Sequence, residues 1–321
     1  MLSRMTLTAA LAACTAFAAQ AADLEVWRHG TVAAKGDAGL IYMAAEGGMD
    51  EKQGLDIQVS EFKGDALALR ALLAGQLDSY EGNPAGPMIA ASKGGKLKIV
   101  GCHWQGFTYS IFSKTLASAE DLQGKTVAVS APGALPDVFT RAVLIEKGIP
   151  VDSVTLVTSG GDADRVKAVV SGVADAAPSS TEFTPQAEKL GLKPIVDGQT
   201  MLPNYMRLCM VMRGDATTKE SAAKFIAAEM AAYKYAFAHK DETLALSKKI
   251  AQLPDGDETA AYAYDLASKP GVIAMDFNVP VEKLNWLRDV LAKTGNIDAK
   301  FDPATMVDDT VRRAALALSA K

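Results

Sequence analysis

The chain of 321 residues reads as an α/β protein built in two lobes, with a helical segment toward its C-terminus. Three observations predict this. Short apolar runs alternate with amphipathic stretches from residue 24 to residue 196, as strands and helices do in a largely parallel sheet. One heptad pattern occurs twice, as Leu72-Leu73-Ala74-Gly75-Gln76-Leu77-Asp78 and as Val169-Val170-Ser171-Gly172-Val173-Ala174-Asp175. From Thr217 onward the pattern is mostly helical.

In the first series, strands are predicted at 24–27, 55–62, 77–80 and 97–102, and helices at 39–52, 65–74 and 84–93. Pro84 suits a first helical turn, where its missing N–H costs nothing. A second series starts near Tyr109 and Ser110, with strands at 125–130, 154–158, 174–177 and 194–196. Its helices are predicted at 135–147, closed by Gly148, at 164–171, and at 184–190 before Gly191. In each repeated heptad a helix ends on glycine, which takes the left-handed conformation cheaply, and a strand follows at once. Two such heptads at corresponding places suggest two lobes on one plan.

A strand over 206–212 returns the chain to the first lobe. Thr217-Thr218-Lys219-Glu220 offers a capping box, after which Ile226, Met230, Tyr233 and Phe237 form a stripe better suited to packing than to a ligand. Leu253-Pro254-Asp255-Gly256 marks a turn, and further helices fall at 258–267 and 281–293.

The N-terminus carries Arg4, an apolar run over 5–19 and an Ala19-Gln20-Ala21 site, the layout of a secretory signal peptide spanning 1–22. Leu11-Ala12-Ala13-Cys14 also resembles a lipoprotein processing box, which leaves lipidation at Cys14 as the alternative to cleavage near Ala21. About 300 residues then remain, enough for two domains. Apolar residues make up 49% and charged residues 22%, as in a globular protein with a large core, and the net charge of -5 argues against nucleic acid as a partner. No second stretch is long and apolar enough to cross a membrane, so a membrane partner must be met by docking.

Asp121-Leu122-Gln123-Gly124-Lys125-Thr126-Val127-Ala128-Val129 resembles the D-L-x-G-K-x-V-A-V segment of type II periplasmic binding proteins. Ala44-Ala45-Glu46-Gly47-Gly48-Met49, Lys52 to Ile57, and Ala71 to Asp78 are similar to segments of the nitrate/sulfonate/taurine-type solute-binding proteins of ABC importers. The resemblance runs from about Leu24 to Arg213. It implies a periplasmic, monomeric protein that holds a small solute in an interlobe cleft and delivers it to an ABC transporter permease at the inner membrane. Lobe 1 would comprise 23–105 and 206–321, and lobe 2 residues 106–205. Crossovers are expected near 105–108 and 204–207.

In open α/β sheets, ligands sit beyond the carboxyl ends of the strands, often on helix N-termini. That rule selects Arg28, His29, Lys63, Gly64, Asp65, Glu81, Asn83 and Trp104 in the first lobe, and Ser130, Gly133, Ser159, Ser180 and Thr181 in the second. The loop Ser130-Ala131-Pro132-Gly133-Ala134 offers backbone N–H groups to a carboxylate or sulfonate, against its reading as an ordinary capped loop. Arg28 could grip an anion as a fork or simply pair at a strand end, and Trp104 could stack on a planar ligand or line the hinge. Glu81 would favour a ligand that also carries a donor.

Catalysis is the minority reading. One relative of the fold makes the thiamine pyrimidine, but His29, His103 and His239 are the only histidines, and no metal-ligand spacing, G-x-S-x-G or phosphate loop occurs. No cofactor is expected. A sensory receptor is the third possibility, with no signalling domain following Lys321. Cys102 and Cys209 either bridge near the hinge or, by a slight preference, stay as two buried thiols.

Overall fold

A computed structural model describes residues 24–319, so the signal segment, Cys14 and the cleavage site lie outside the described residues. The chain opens with β1 (Glu25–Val32), α1 (Ala38–Ile41), α2 (Met43–Glu46), β2 (Leu55–Phe62), α3 (Asp65–Leu73), β3 (Ser79–Gly82), α4 (Ala85–Ser92) and β4 (Leu97–Trp104). It continues with β5 (Tyr109–Ser113), β6 (Thr126–Val129), α5 (Leu135–Glu146), β7 (Thr155–Thr158), α6 (Asp162–Val170), β8 (Ala176–Ser180), α7 (Thr184–Lys189), β9 (Lys193–Asp197) and α8 (Gly198–Met201). The remainder is β10 (Leu208–Arg213) followed by α9 (Glu220–Ala238), α10 (Lys240–Ala251), α11 (Thr259–Ala267), α12 (Val281–Lys293) and α13 (Asp309–Ser319).

Two five-stranded sheets result, ordered β2-β1-β3-β10-β4 and β7-β6-β8-β5-β9. They correspond strand for strand. In each, the first three strands pair in parallel and the fourth runs antiparallel to both its neighbours. That fourth strand is the one entering from the other lobe, β10 in the first sheet and β5 in the second. The sheets are therefore mixed, where alternation alone suggested largely parallel order. Helix-strand alternation reports the crossovers within a lobe but not the direction of a strand arriving from outside it.

Gly75 and Gly172 close α3 and α6 with φ of +78° and +76°, in the two separate sheets. Among the described residues, no helix is long and apolar enough to cross a membrane.

Several boundaries differ from the sequence reading. β1 extends to Val32 because its pairing with β2 continues through Val32↔Phe62, overriding the strand-weakening Gly30. The helix expected over 39–52 breaks into α1 and α2, then ends at Gly47-Gly48, where Gly48 takes φ +68°. The expected capping box does not form. Thr217 and Thr218 donate back to Gly214 O and Asp215 O in a 3-10 turn, and α9 starts at Glu220 without a side-chain cap.

Three buried apolar clusters hold the described residues together, the smallest of them around Phe112, Val166 and Val169 in the second lobe. α9 lies on the first sheet, burying Phe225, Ile226, Met230 and Tyr233, with Trp27 stacked on Phe225 at 5.2 Å. Phe237, the fourth member of the expected stripe, is only partly buried. The largest cluster runs through both lobes. Met88 of α4, Val138 and Phe139 of α5, and Leu284, Leu287 and Leu291 of α12 belong to it together. α12 thus ties a helix of each lobe to one apolar surface.

Cys102 and Cys209 form a disulfide, against the slight preference for free thiols. They sit on adjacent strands, β4 and β10, whose register slips between Leu208 and Met210, so Cys209 occupies an irregular position that period-2 reasoning could not locate. The bridge lies at the base of the segments by which the chain leaves and re-enters the first sheet.

Candidate functional site

The carboxyl ends of the inner strands of both sheets face one cleft. Its centre is a cluster of buried charges. β1 ends at Val32, so the residues beyond it are Ala33 to Asp37, and Lys35 reaches across the cleft to Asp162 at 3.4 Å. Asp162 begins α6 and also pairs with Arg165 and accepts from Tyr109 Oη at 3.0 Å and Ser179 Oγ at 3.1 Å. Arg165 further donates to Pro178 O and Gly160 O, both at 2.8 Å. Arg207, arriving on the return crossover, pairs with Asp37, donates to Thr108 Oγ1 at 3.1 Å, and lies over the Trp104 ring at 4.3 Å.

The electrostatics follow from burial and pairing. Burial opposes the ionised form of Asp162, but Arg165 and Lys35 outweigh it and hold the carboxyl well below its usual range. Lys35 is raised: burial opposes its charge, and Asp162 and Asp37 more than compensate. Arg207 is likewise raised against its own burial, chiefly by Asp37. Two further carboxyls move the other way. Burial raises Asp65, which accepts from Tyr80 Oη and from Asn83 N, and burial with Asp37 beside it raises Glu182. Three cations, Lys35, Arg165 and Arg207, are therefore paired with two carboxylates, Asp37 and Asp162.

A central cavity of about 40 Å³ remains between Lys35, Asp37, Tyr42, Asp65, Tyr109 and Arg207. That is far below the roughly 300–1,000 Å³ of small-molecule sites. The cleft opens outward into a groove of about 520 Å³ between α3, α4 and the loop before α5, with Arg70 and Lys93 at its rim and Leu69, Pro87, Ile89 and Pro132 along its walls. A second opening of about 270 Å³, lined by Lys63, Gly64, Arg70, Ser130 and Gly160, shares Asp65 and Ala134 with it.

Of the residues selected from sequence, Lys63, Gly64, Asp65, Ser130 and Gly133 come together at this mouth. Gly133 has φ +74° and lies against Ile89 of the other lobe, where an added Cβ would stand 3.1 Å from Cδ1. Its N–H donates to Asp137 at 2.7 Å, so the start of α5 is partly satisfied by its own helix. Ser159 follows β7 beside Gly160. Ser180 ends β8, with its N–H on Asp162 at 3.3 Å and its hydroxyl without a partner. Thr181 bonds Ser110 Oγ at 2.9 Å and faces a separate cavity.

The structure places the others elsewhere. Arg28 lies mid-strand on β1, where it bonds Asp78 at 2.9 Å and Gly75 O at 3.2 Å on the outer surface. His29 is buried under α9, with Nδ1 2.7 Å from Ser79 Oγ. Glu81 meets His103 Nε2 at 2.6 Å and accepts from Thr31 at 3.3 Å, inside lobe 1. Asn83 binds the return crossover, donating to Met206 O at 2.9 Å and Arg207 O at 3.3 Å. Trp104 is covered by Arg207 and 1% exposed, which leaves its ring face no room for a ligand.

Arg28 and His29 fall outside the cleft for one reason. With β1 ended at residue 27, the strand-end rule selected Arg28 and His29. Ended at Val32, the same rule selects Lys35 and Asp37. Asp162 and Arg165 lay just past the selected Ser159, at the start of α6. Arg207 carries no local signal, because its place depends on the return crossover.

A family model described as NMT1/THI5 like matches residues 36–243. A protein of Brucella abortus (strain 2308) named as a binding protein is 33% identical over 116 residues, 36% of this chain, and the match spans about a third of that relative's length (35%). The alkanesulfonate-binding protein SsuA of Xanthomonas axonopodis pv. citri, bound to MOPS, has the same fold with a TM-score of 0.75, 17% identity, and coverage of 90% of this chain and 99% of its own. So does the periplasmic nitrate-binding protein NrtA of Synechocystis PCC 6803, with a TM-score of 0.76, 15% identity, and coverage of 93% and 90%. With two mixed sheets facing one cleft, and a family model matched from the strand-end segment of β1 into α10, the chain belongs to the NMT1/THI5 like family.

Proposed function

We propose that this chain is the exported substrate-binding component of an ABC importer. It captures a small organic anion, a sulfonate or carboxylate, between lobes comprising 23–105 with 206–321 and 106–205, and delivers it to the permease without chemical turnover. The observation that carries the reading is that Lys35, Arg165 and Arg207 share only two ion-pair carboxylates, Asp37 and Asp162, while burial pushes Asp65 and Glu182 toward their neutral forms. A desolvated cation with no full complement of anions favours an incoming anion strongly. The apolar wall of the outer groove, ending at Arg70, suits the body of such a solute.

In this reading the lobes part to admit the anion and close on it, and the ion pair Lys35–Asp162 yields its lysine to the ligand. The signal segment over 1–22 directs export, and the mature protein works as a periplasmic monomer. Thermal-shift titration with sulfonates, carboxylates and nitrate tests this. A ligand at 100 times its Kd should add about 2.7 kcal/mol of stability. Neutral analogues of the same shape should add nothing. Stabilisation by neutral analogues alone would overturn the reading.

A further inference from the structure

Asp65 stands where the spaces of the cleft meet. Among the described residues it alone lines the central cavity, the outer groove and the second opening. α3 begins at Asp65, and Gly64 before it supplies no capping side chain, so the helix start favours a negative charge there. One side of the carboxyl is fixed. Its Oδ1 accepts from Tyr80 Oη and from Asn83 N at 3.4 Å, while Oδ2 has no hydrogen bond among the described residues. A solute anion drawn toward Lys35 and Arg207 must therefore rest against this half-buried carboxyl. Two like charges sharing so small a site do not both stay ionised. Lys35 and Arg207 leave little to offset the second charge, because they are already paired with Asp162 and Asp37.

We propose that Asp65 is a specificity-determining residue that meets the solute as a hydrogen-bond donor: its carboxyl is protonated in the complex, and Oδ2–H donates to an oxygen of the anion. This rests on the anion reading of the cleft and deepens it. The proton comes from solvent, one for each anion captured, and returns there on release. Oδ1 keeps its two donors throughout. The surrounding groups are held in one state. Burial raises the hydroxyls of Tyr42, Tyr80, Tyr109 and Tyr205, while Lys35 and Arg207 stay charged and Asp162 stays ionised. Lys63 and Arg70 flank Asp65 on its own segment, and Lys93 of α4 lines the same groove. Asp65 itself is raised, by burial first and by Asp162, against Tyr80, Asn83 and Lys35. Above its value in the empty protein, the complex holds one proton more than the free components. Affinity should then fall as pH rises through that value, by about tenfold per pH unit.

The probes are methanesulfonate, butane-1-sulfonate, benzenesulfonate, pentanoate and benzoate, all ionised above about pH 6 and so unable to carry the proton themselves. Each is titrated calorimetrically from about pH 6 to 9, with phosphate and Tris compared at about pH 8. Any probe that binds wild type should bring about one proton with it at about pH 8 and show the loss of affinity on the alkaline side. Asp65→Asn keeps an acceptor for Tyr80 and offers an N–H in place of Oδ2–H. It should bind about tenfold tighter than wild type at about pH 8, with a flat profile and no proton uptake. Glu182→Gln is the control, because burial and then Asp37 raise that carboxyl to about 8 although it lines none of the three spaces. This variant should keep both the uptake and the slope. If Asp65→Asn does not fold, infrared difference spectra decide: the carbonyl band of a protonated carboxyl should appear on adding the anion at about pH 8, in Glu182→Gln as in wild type. A flat wild-type profile, a slope that survives Asp65→Asn, weaker binding by that variant at about pH 8, a slope lost in Glu182→Gln, or no such band would overturn the role of Asp65 alone. Failure of all five anions to bind at any pH would overturn the anion reading and this role with it.

Discussion

Reducing the Cys102–Cys209 disulfide opens a covalent loop that encloses the whole second sheet. The two residues are 107 apart in sequence. Closing a loop of that size in the unfolded chain is worth about 4–5 kcal/mol in the chain-entropy model. A protein of about 300 residues unfolds with an entropy near 0.6 kcal/mol/K, so losing the bridge should lower Tm by about 7 °C. Both sulfurs are fully buried on strands that remain paired by backbone bonds, so the folded state should keep its structure when reduced. The assay is differential scanning calorimetry of the mature protein with and without TCEP, paired with thiol titration of the unfolded, unreduced chain. Cys102→Ala with Cys209→Ala should reproduce the fall, with a further loss of about 1–2 kcal/mol for two small core cavities. Two free thiols in the unreduced protein, or a Tm that ignores reduction, would refute the reasoning.

Lys35→Met should weaken anion binding about tenfold or more by removing the cleft's bridging cation, whereas Arg28→Ala should leave binding unchanged and cost under about 1 kcal/mol of stability. Equal losses of affinity in both variants would contradict the placement of Arg28 on the outer surface. Asn83→Ala strips bonds from Met206 O, Arg207 O, Ala85 N and Tyr205 Oη, and should cost about 3 kcal/mol in urea unfolding. Burial lowers His29 to about 4, so between that value and 6.5 the ring is neutral in the fold but protonated in the unfolded chain. Stability should then fall as pH drops from the unfolded value near 6.5 toward 4, by about 3 kcal/mol, because the unfolded chain takes up the proton first. His29→Asn should flatten that slope, and an unchanged slope would rule out His29 as its source.

The twin glycine heptads were legible because a left-handed helix stop and an immediate strand leave a local trace, and Gly75 and Gly172 both carry it. The loop 130–134 at the cleft mouth was legible for the same reason, since a strand, a glycine and a helix start lie within a few residues. The charged centre was not. Lys35 and Asp37 follow a strand whose last five residues, Arg28 to Val32, include a charge, a histidine and a glycine, and only the ladder with β2 keeps them extended. Arg207 reaches the cleft only through the return crossover from the second lobe. Such non-local pairing is invisible to periodicity.

Hydrogen exchange locates the solute without assuming a mechanism. The mature protein would be compared with and without its best-stabilising anion. Protection is expected in the segments that carry the cleft: residues 33–42, 63–70, 130–137, 159–165 and 205–208. The outer strand β2 and α13 should change little. Protection confined to segments outside the cleft, with those five unchanged, would contradict the account.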